Sequence, residues 1–243
     1  MASSETATCT AADTASPTTI ERLETPPVFT CGPSLAKFLV TRKEYLAHSN
    51  TLSGVAVGAY VFDKAGRLLL VQRAAEDSMP LRWEIPGGGV KEKDESILHA
   101  AVRELREESR LRAQHVHELV GDGYIFTSKR SGKTIARFCF IMHVDGYDVT
   151  MNPAEHQAYL WVTEEEALAK KCGDVEIVYT TQNQESYIPK AFQLYKERMA
   201  DGSDIGSQAT ISEVAGPVHD PAQDRDAVEV ATAGENKEQD CCA

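Results

Sequence analysis

The acidic side chains best placed to do chemistry lie in one short segment, at Glu104, Glu107 and Glu108. Apolar residues recur through 96–109 at the spacing of one helix face, which predicts a helix there. Positions i, i+3 and i+4 share one side of a helix, so the three carboxylates would point toward a common region. Like charges held this close raise one another's pKa unless a cation lies among them. The spacing therefore predicts a site for a hard divalent cation such as Mg²⁺.

Three consecutive glycines, Gly87–Gly89, precede that helix and follow the apolar segment 83–86. Glycine lets the backbone approach a ligand closely, so carbonyl oxygens there can bind a metal and N–H groups can face an oxyanion. A glutamate-rich helix alone is typical of a solvated surface. Beside this loop, it indicates a metal and phosphate site.

Strand-like and helix-like segments alternate through the middle of the chain, which predicts one mixed α/β domain at 31–200. The expected strands are 53–62, 67–72, 116–126, 134–144 and 159–162, and the expected helices are 96–109, 164–171 and 188–199. We expect the first two strands to pair as a hairpin across the turn at 63–66.

The formal charge of −12 is unevenly distributed: −3 over 1–30, −1 over 31–200 and −8 over 201–243. Both ends are poor in aromatic residues, so we expect two disordered tails, one at 1–30 and an acidic one at 201–243. The acidic balance argues against a nucleic-acid polymer as partner, and no apolar run is long enough to span a membrane. Scattered cysteines and the lack of a targeting leader predict a cytoplasmic protein.

The glycine loop and the acidic helix together resemble the Nudix box, G-x5-E-x7-R-E-U-x-E-E-x-G-U, where U is aliphatic. The matching positions are Gly89, Glu95, Arg103, Glu104, Leu105, Glu107, Glu108 and Leu111. The one departure is Arg110, where the family has glycine. We expect either that Arg110 adopts the left-handed conformation of a helix C-cap or that the helix ends differently, with the site still active in both cases; the alternative is a degenerate, inactive domain. The resemblance implies a Nudix hydrolase: an α/β/α sandwich with a mixed sheet that hydrolyses a diphosphate linked to another group.

The resemblance also implies roles for individual residues. Glu107 and Glu108 would be metal ligands, and Glu104 either a ligand or the base that activates water. A carbonyl of Gly88 or Gly89 would help to hold the cation, which is Mg²⁺ or alternatively Mn²⁺. Glu95 and Arg103 would be structural and would pair with each other. For the further acid that family members recruit downstream, Glu155 is the first candidate and Glu118 the second; a homodimer is a family-level expectation.

The substrate is less constrained by the sequence. Basic residues that could meet phosphates are Arg73, Arg82, Arg130 and Arg137, and aromatic residues that could stack on a base are Trp83, Tyr124, Phe126 and Phe138. From these we select Arg73, Trp83 and Arg137 as substrate-binding candidates. The expected small-molecule substrate is a nucleoside diphosphate derivative. Two alternatives stay open: hydrolysis of a non-nucleotide diphosphate such as an isoprenyl diphosphate, and a non-catalytic module that only senses a ligand.

Overall fold

The computed structural model describes residues 28–129 and 131–202. Its strands are β1 Thr30–Cys31, β2 Gly54–Val61, β3 Leu68–Arg73, β4 Trp83–Glu84, β5 Ala113–Leu119, β6 Tyr124–Thr127, β7 Thr134–Val144, β8 His156–Val162, β9 Lys171–Cys172 and β10 Val175–Glu176. Its helices are a 3₁₀ helix at Pro33–Phe38, then α1 Arg42–Ala47, α2 Ile97–Ser109, α3 Glu164–Ala169 and α4 Gln182–Ala200. Within these ranges, no helix combines the length and the apolar character needed to cross a membrane.

The strands form two main sheets. The first has the order β1-β5-β7-β2, with β6 also paired to β7. It is mixed, because β2 runs parallel to β7 whereas β5 and β6 run antiparallel to it. The second sheet is antiparallel, in the order β4-β3-β8. The mixed α/β class expected from the sequence is confirmed.

The predicted hairpin of the first two strands is wrong. A single bridge, Phe62 with Leu68, links them beside the turn, which Asp63 closes by accepting hydrogen bonds from Ala65 N and Arg67 N, both 2.9 Å away. Beyond that bridge the strands diverge, because β2 pairs with β7 and β3 pairs with β8. The local sequence pattern predicts two strands on either side of a turn, but it does not predict which strands each of them pairs with.

Strand β2 is buried along its whole length and separates two apolar cores. Its odd-numbered residues from Val55 to Val61 face a core that includes the apolar stripe of α2. Tyr60 and Phe62 face a second core that α4 completes with Ile188 and Phe192. Helices therefore cover opposite sides of the sheets, as in an α/β/α sandwich.

Helix α2 agrees closely with the predicted helix at 96–109. The Ser96 hydroxyl accepts a hydrogen bond from His99 N and begins the helix, and Arg110 ends it at φ 62°, the left-handed conformation expected of this residue. The stripe from Ile97 to Leu105 is fully buried, which fixes the orientation of the helix on β2.

Other element boundaries differ from expectation. The predicted strand 116–126 is two strands, because the turn between β5 and β6 contains Gly121 and Gly123 at φ +68° and +76°. Helix α4 begins six residues earlier than expected and contains Pro189. Ordered chain also begins before residue 31, since Phe29 is buried against His99. The rest of the two predicted tails, 1–27 and 203–243, lies outside the described residues.

Candidate metal and catalytic site

Two of the three helix glutamates face inward. Glu104 and Glu108 are one turn apart on α2 and are only 6% and 5% exposed, because both lie under the glycine loop. The Glu108 carboxylate accepts a hydrogen bond from Gly87 N at 2.8 Å. The loop itself is anchored to β2, since Val57 N donates to Gly88 O at 2.9 Å. The helix and the loop thus hold the two carboxylates in fixed positions.

Burial raises the pKa of Glu108 well above its ordinary value. The Gly87 N–H opposes this shift, whereas the nearby carboxylates of Glu84, Glu104 and Glu155 add to it. Several ionised carboxylates buried close together, with no cation among them, would raise the free energy of the folded state. A bound cation would remove that cost, as the charge pattern in the sequence also indicates.

Glu104 lies directly beneath Gly88. A Cβ atom on Gly88 would come within 2.7 Å of the Glu104 carboxyl carbon, so glycine is needed there for steric reasons. Burial raises the pKa of Glu104, and the Arg103 guanidinium, 2.7 Å from its Oε1, opposes that shift.

Glu107 differs from the other two glutamates, since its side chain is 30% exposed. It interacts with Lys91 Nζ at 3.1 Å and with Arg103 Nη1 at 2.9 Å. The three carboxylates therefore do not form one compact cluster, and the metal role of Glu107 stays a prediction.

A third acidic residue joins Glu108 from the loop before β8. Ligand atoms of Glu108, Glu155 and His156 lie within 4.8 Å of one another, and within the described ranges no other three His, Cys, Asp or Glu residues meet in this way. The loop is held against α2 and β3, because Asn152 N donates to Glu108 O and Ala74 N donates to Glu155 O. The first candidate for the downstream acid, Glu155, thus lies at the site. The second, Glu118, instead forms an ion pair with Arg198 at 3.0 Å.

The expected ion pair between Glu95 and Arg103 is wrong. Arg103 binds Asp94 through two hydrogen bonds of 2.7 and 2.8 Å, while Glu95 is 58% exposed and approaches His99. Asp94 is buried and its side chain also accepts a hydrogen bond from Lys91 N, so it turns the loop back onto the helix. The spacing of the motif predicted Glu95 as the partner of Arg103, and nothing in the sequence distinguished Glu95 from Asp94.

The carbonyls proposed for the metal already accept hydrogen bonds. Gly88 O accepts one from Val57 N, and Gly89 O accepts one from Arg103 Nη2 at 3.1 Å. Each carbonyl oxygen keeps a second lone pair, so a role for Gly88 or Gly89 as a metal ligand stays a prediction.

Of the three substrate-binding candidates, two are engaged in structural contacts. Arg73 forms ion pairs with Glu84 at 2.5 Å and with Asp77, and its Nε donates to Ser78 O, so it ties the loop after β3 to β4. Trp83 is 2% exposed and packs within the second core. The expectation that Trp83 stacks on a base is wrong, because its ring has no open face.

The third candidate, Arg137, lies on β7 facing the interior between the sheets. It is adjacent to Tyr124 in the β6–β7 register, and its Nη2 atom would be 3.3 Å from a Cβ on Gly58. Nη2 is buried beside the Cys139 thiol, a weak acceptor, and has no oxygen or nitrogen partner. A ligand that supplied a stronger acceptor would therefore be bound favourably there.

Sequence reasoning missed Glu84, which is 4% exposed and links Arg73 to His156. Glu84 lies just before the glycine loop, but its spacing from the glutamates of α2 did not indicate that it belongs to the site. Its partners come from β3 and β8, and only the folded sheet brings them together.

Comparisons with known proteins give one family match and several similar chains. A family model described as the NUDIX domain matches residues 52–181. The CTP pyrophosphohydrolase of Escherichia coli (strain K12) is 39% identical over 116 residues, which are 47% of this chain and 79% of that protein. The MutT protein from Methanosarcina mazei Go1 is a similar solved structure, 22% identical with a TM-score of 0.49, over 61% of this chain and 99% of that chain. The solution structure of the E. coli ORF135 protein is 30% identical with a TM-score of 0.45, over 63% of this chain and 96% of that chain.

Proposed function

Since the chain belongs to the Nudix family and is a pyrophosphohydrolase, we propose that its substrate is a nucleoside diphosphate derivative, with CTP the first compound to test. The observation that carries this proposal is the buried pair Glu104 and Glu108 beneath the glycine loop, with Glu155 beside it. A relative 39% identical, named for its action on CTP, supports the nucleotide. The complete set of motif glutamates, Glu104, Glu107 and Glu108, favours catalysis over the alternative of a non-catalytic sensor.

The residues at the site fit a divalent cation. Carboxylate oxygens are the ligands that Mg²⁺ and Mn²⁺ accept, and burial, with the neighbouring carboxylates adding to it, raises the pKa of Glu108. Glu108 and Glu155 would hold the cation, with Glu104, Glu107 and a Gly88 or Gly89 carbonyl as further ligand candidates. When bound, such a cation neutralises charge on the phosphoryl oxygens and lowers the pKa of a bound water.

The side chains around the cation would then orient and deprotonate the attacking water. The Gly87 N–H fixes one Glu108 oxygen and leaves the other for the cation. Glu104 is the candidate base, because burial raises its pKa toward the range in which a carboxylate accepts a proton efficiently. The Arg103 guanidinium favours the ionised form of Glu104. Its hydrogen bonds to Asp94 also hold the loop against α2.

The buried donor of Arg137 favours a nucleotide over an isoprenyl diphosphate. A nucleobase carries carbonyl and ring-nitrogen acceptors that Nη2 can bind. An isoprenyl chain has none and offers only the diphosphate oxygens that both substrates share, so a hydrogen bond from Arg137 to the group beyond the diphosphate would select the nucleotide. We assign Arg137 to base recognition and Arg73 to holding the site together.

The test is a panel of CTP, UTP, GTP, ATP and geranyl diphosphate with the full chain and Mg²⁺, followed by product analysis. We expect a nucleotide to be turned over fastest, and Arg137→Met to lower kcat/KM for it by about 10- to 100-fold. The control is Arg82→Met, because the described side-chain hydrogen bond of Arg82 is to Tyr179 O. Preferred turnover of geranyl diphosphate, or nucleotide rates that do not depend on Arg137, would contradict the proposal. The cytoplasmic location and the homodimer stay predictions.

A further inference from the structure

The histidine next to Glu155 has an unusual environment. The His156 side chain is 3% exposed, its Nε2 lies 3.4 Å from Glu84 Oε1, and its Nδ1 is buried without a hydrogen-bond partner. A buried imidazole nitrogen without a partner destabilises the folded protein. A bound group that accepts its lone pair would remove this cost.

The Glu84 contact determines which nitrogen is available. Glu84 is held by Arg73 at 2.5 Å, so it presents a carboxylate oxygen to His156. In the neutral tautomer that donates Nε2–H to that oxygen, the lone pair is on Nδ1. A carboxylate that accepts a hydrogen bond from one ring nitrogen while the other binds a metal is the usual arrangement of metal-bound histidines.

The position of the ring supports the same interpretation. The ligand atoms of His156, Glu108 and Glu155 lie within 4.8 Å of one another. Ligand bonds of about 2.0–2.2 Å place two ligands of one cation no more than about 4.4 Å apart. A small side-chain adjustment therefore suffices for all three to share an ion.

We propose that His156 is a nitrogen ligand of the catalytic cation and that this makes the site prefer Mn²⁺ or a similar transition metal over Mg²⁺. Imidazole suits transition ions, whereas Mg²⁺ takes oxygen ligands almost alone. The inference rests on the proposed metal-dependent hydrolysis and assigns to that site a ligand outside the acidic helix.

The test measures the metal's ligands and not only turnover. The full chain is loaded with Mn²⁺, and electron spin echo modulation is recorded for the wild type, His156→Gln and the control His143→Gln. We expect ¹⁴N modulation from a directly bound nitrogen in the wild type and the control, and its loss in His156→Gln. Wild-type protein with bound Mn²⁺ and no ¹⁴N modulation would overturn the proposal.

A second measurement does not depend on the variant's folding. Wild-type protein in which only histidine carries ¹⁵N should show the modulation shifted to ¹⁵N frequencies, and an unchanged spectrum would contradict the proposal. By calorimetry, the wild type should bind Mn²⁺ more tightly than Mg²⁺, and folded His156→Gln should reduce that preference by about 10- to 100-fold. An unchanged preference would also contradict it.

The outcomes separate this inference from the proposed function. If the protein hydrolyses nucleotides with Mn²⁺ but shows no bound nitrogen, the inference fails and the hydrolase proposal stands. If Mn²⁺ binds with nitrogen coupling but the panel is not turned over, the ligand assignment stands and the proposed substrate fails.

Discussion

At the residue scale, the acid that organises the loop is Asp94. It is buried and binds Arg103 through both oxygens, and Arg103 in turn contacts Glu104 and Glu107. One guanidinium thus connects the loop to two of the motif's glutamates. Glu95, one position later, points toward solvent with 58% exposure. The motif identifies the segment correctly, but side-chain direction decides which acid forms the ion pair.

We expect Asp94→Asn to lower the free energy of unfolding by about 1–3 kcal/mol at pH 7, because the amide cannot accept both hydrogen bonds from Arg103 and carries no charge to pair with it. Glu95→Gln is the matched control and should change it by less than about 0.5 kcal/mol. Denaturant titrations of the two variants measure both values. Equal effects, or a larger effect of Glu95→Gln, would mean that the ion pair is misassigned.

The same ion pair predicts a pH dependence. Although burial opposes it, hydrogen bonds from Arg103 and Lys91 N hold the pKa of Asp94 below its ordinary value. A depressed folded-state pKa stabilises the fold above the unfolded pKa of about 3.9, and this contribution is lost as the pH falls through the folded value. The stability difference between wild type and Asp94→Asn should therefore shrink below about pH 4.

Arg110 is a second residue with a specific effect, because its backbone conformation lowers the stability of the fold. Its φ of 62° places a side chain in the left-handed region, where glycine is favoured. We expect Arg110→Gly to stabilise the protein by about 1 kcal/mol and to leave hydrolysis within a few-fold, because no acidic side chain moves. Thermal unfolding and steady-state kinetics check this. A lower melting temperature, or loss of activity, would show that Arg110 has a role beyond ending α2.

At the element scale, the site depends on the fit between the glycine loop and α2. The loop is held to β2 by the Gly88 O hydrogen bond, and its backbone lies against the Glu104 carboxylate. Glu108 is oriented by Gly87 N from the same loop. A change in this contact should move the two carboxylates that we propose for the site, without disturbing either core.

We therefore expect Gly88→Ala to reduce kcat by at least about tenfold with little change in fold, because the new methyl group displaces the Glu104 carboxylate. Gly89→Ala is the matched control, since a Cβ there meets nothing within 4 Å. Kinetics with circular dichroism as a folding check distinguishes the two. Full activity of Gly88→Ala would argue against a role for Glu104 in the reaction.

Helix α2 could be predicted from sequence because its signals are local: an apolar stripe, the Ser96 cap and a stop at Arg110. The pairing of β2 and β3 could not, because their partners β7 and β8 lie far along the chain. The same limit applies to the site. The glutamates of α2 were found by their spacing, whereas Glu84 and His156 join them only through the second sheet.

At the scale of the whole molecule, two apolar cores lie on either side of β2, and the site forms where the sheets and α2 meet. The acidic excess lies mainly at the two ends of the sequence, while 31–200 carries a net charge of only −1. Overall acidity therefore gives little information about the substrate. The chemistry that we propose belongs instead to the local group of carboxylates around Glu108, with a cation bound among them.

Among the described residues, the buried members of the two cores run from Phe29 to Phe192. We expect a variant reduced to residues 28–202 to melt within about 3 °C of the full chain and to keep its kcat within about twofold. Parallel thermal unfolding and kinetic measurements test this. A large loss of stability would mean that the ends contribute to the folded unit, contrary to the predicted domain at 31–200.

The central claim is that the Glu108 carboxylate holds the cation of a cation-dependent phosphoanhydride hydrolase. The most direct measurement is the rate of nucleotide hydrolysis, with products identified, for wild type and Glu108→Gln, each with and without divalent cation. Glu92→Gln, a change at an 86% exposed side chain, is the control. We predict cation-dependent turnover by the wild type and the control, and a loss of about 10²- to 10⁴-fold in Glu108→Gln with the fold retained. Turnover by Glu108→Gln at the wild-type rate would contradict the account.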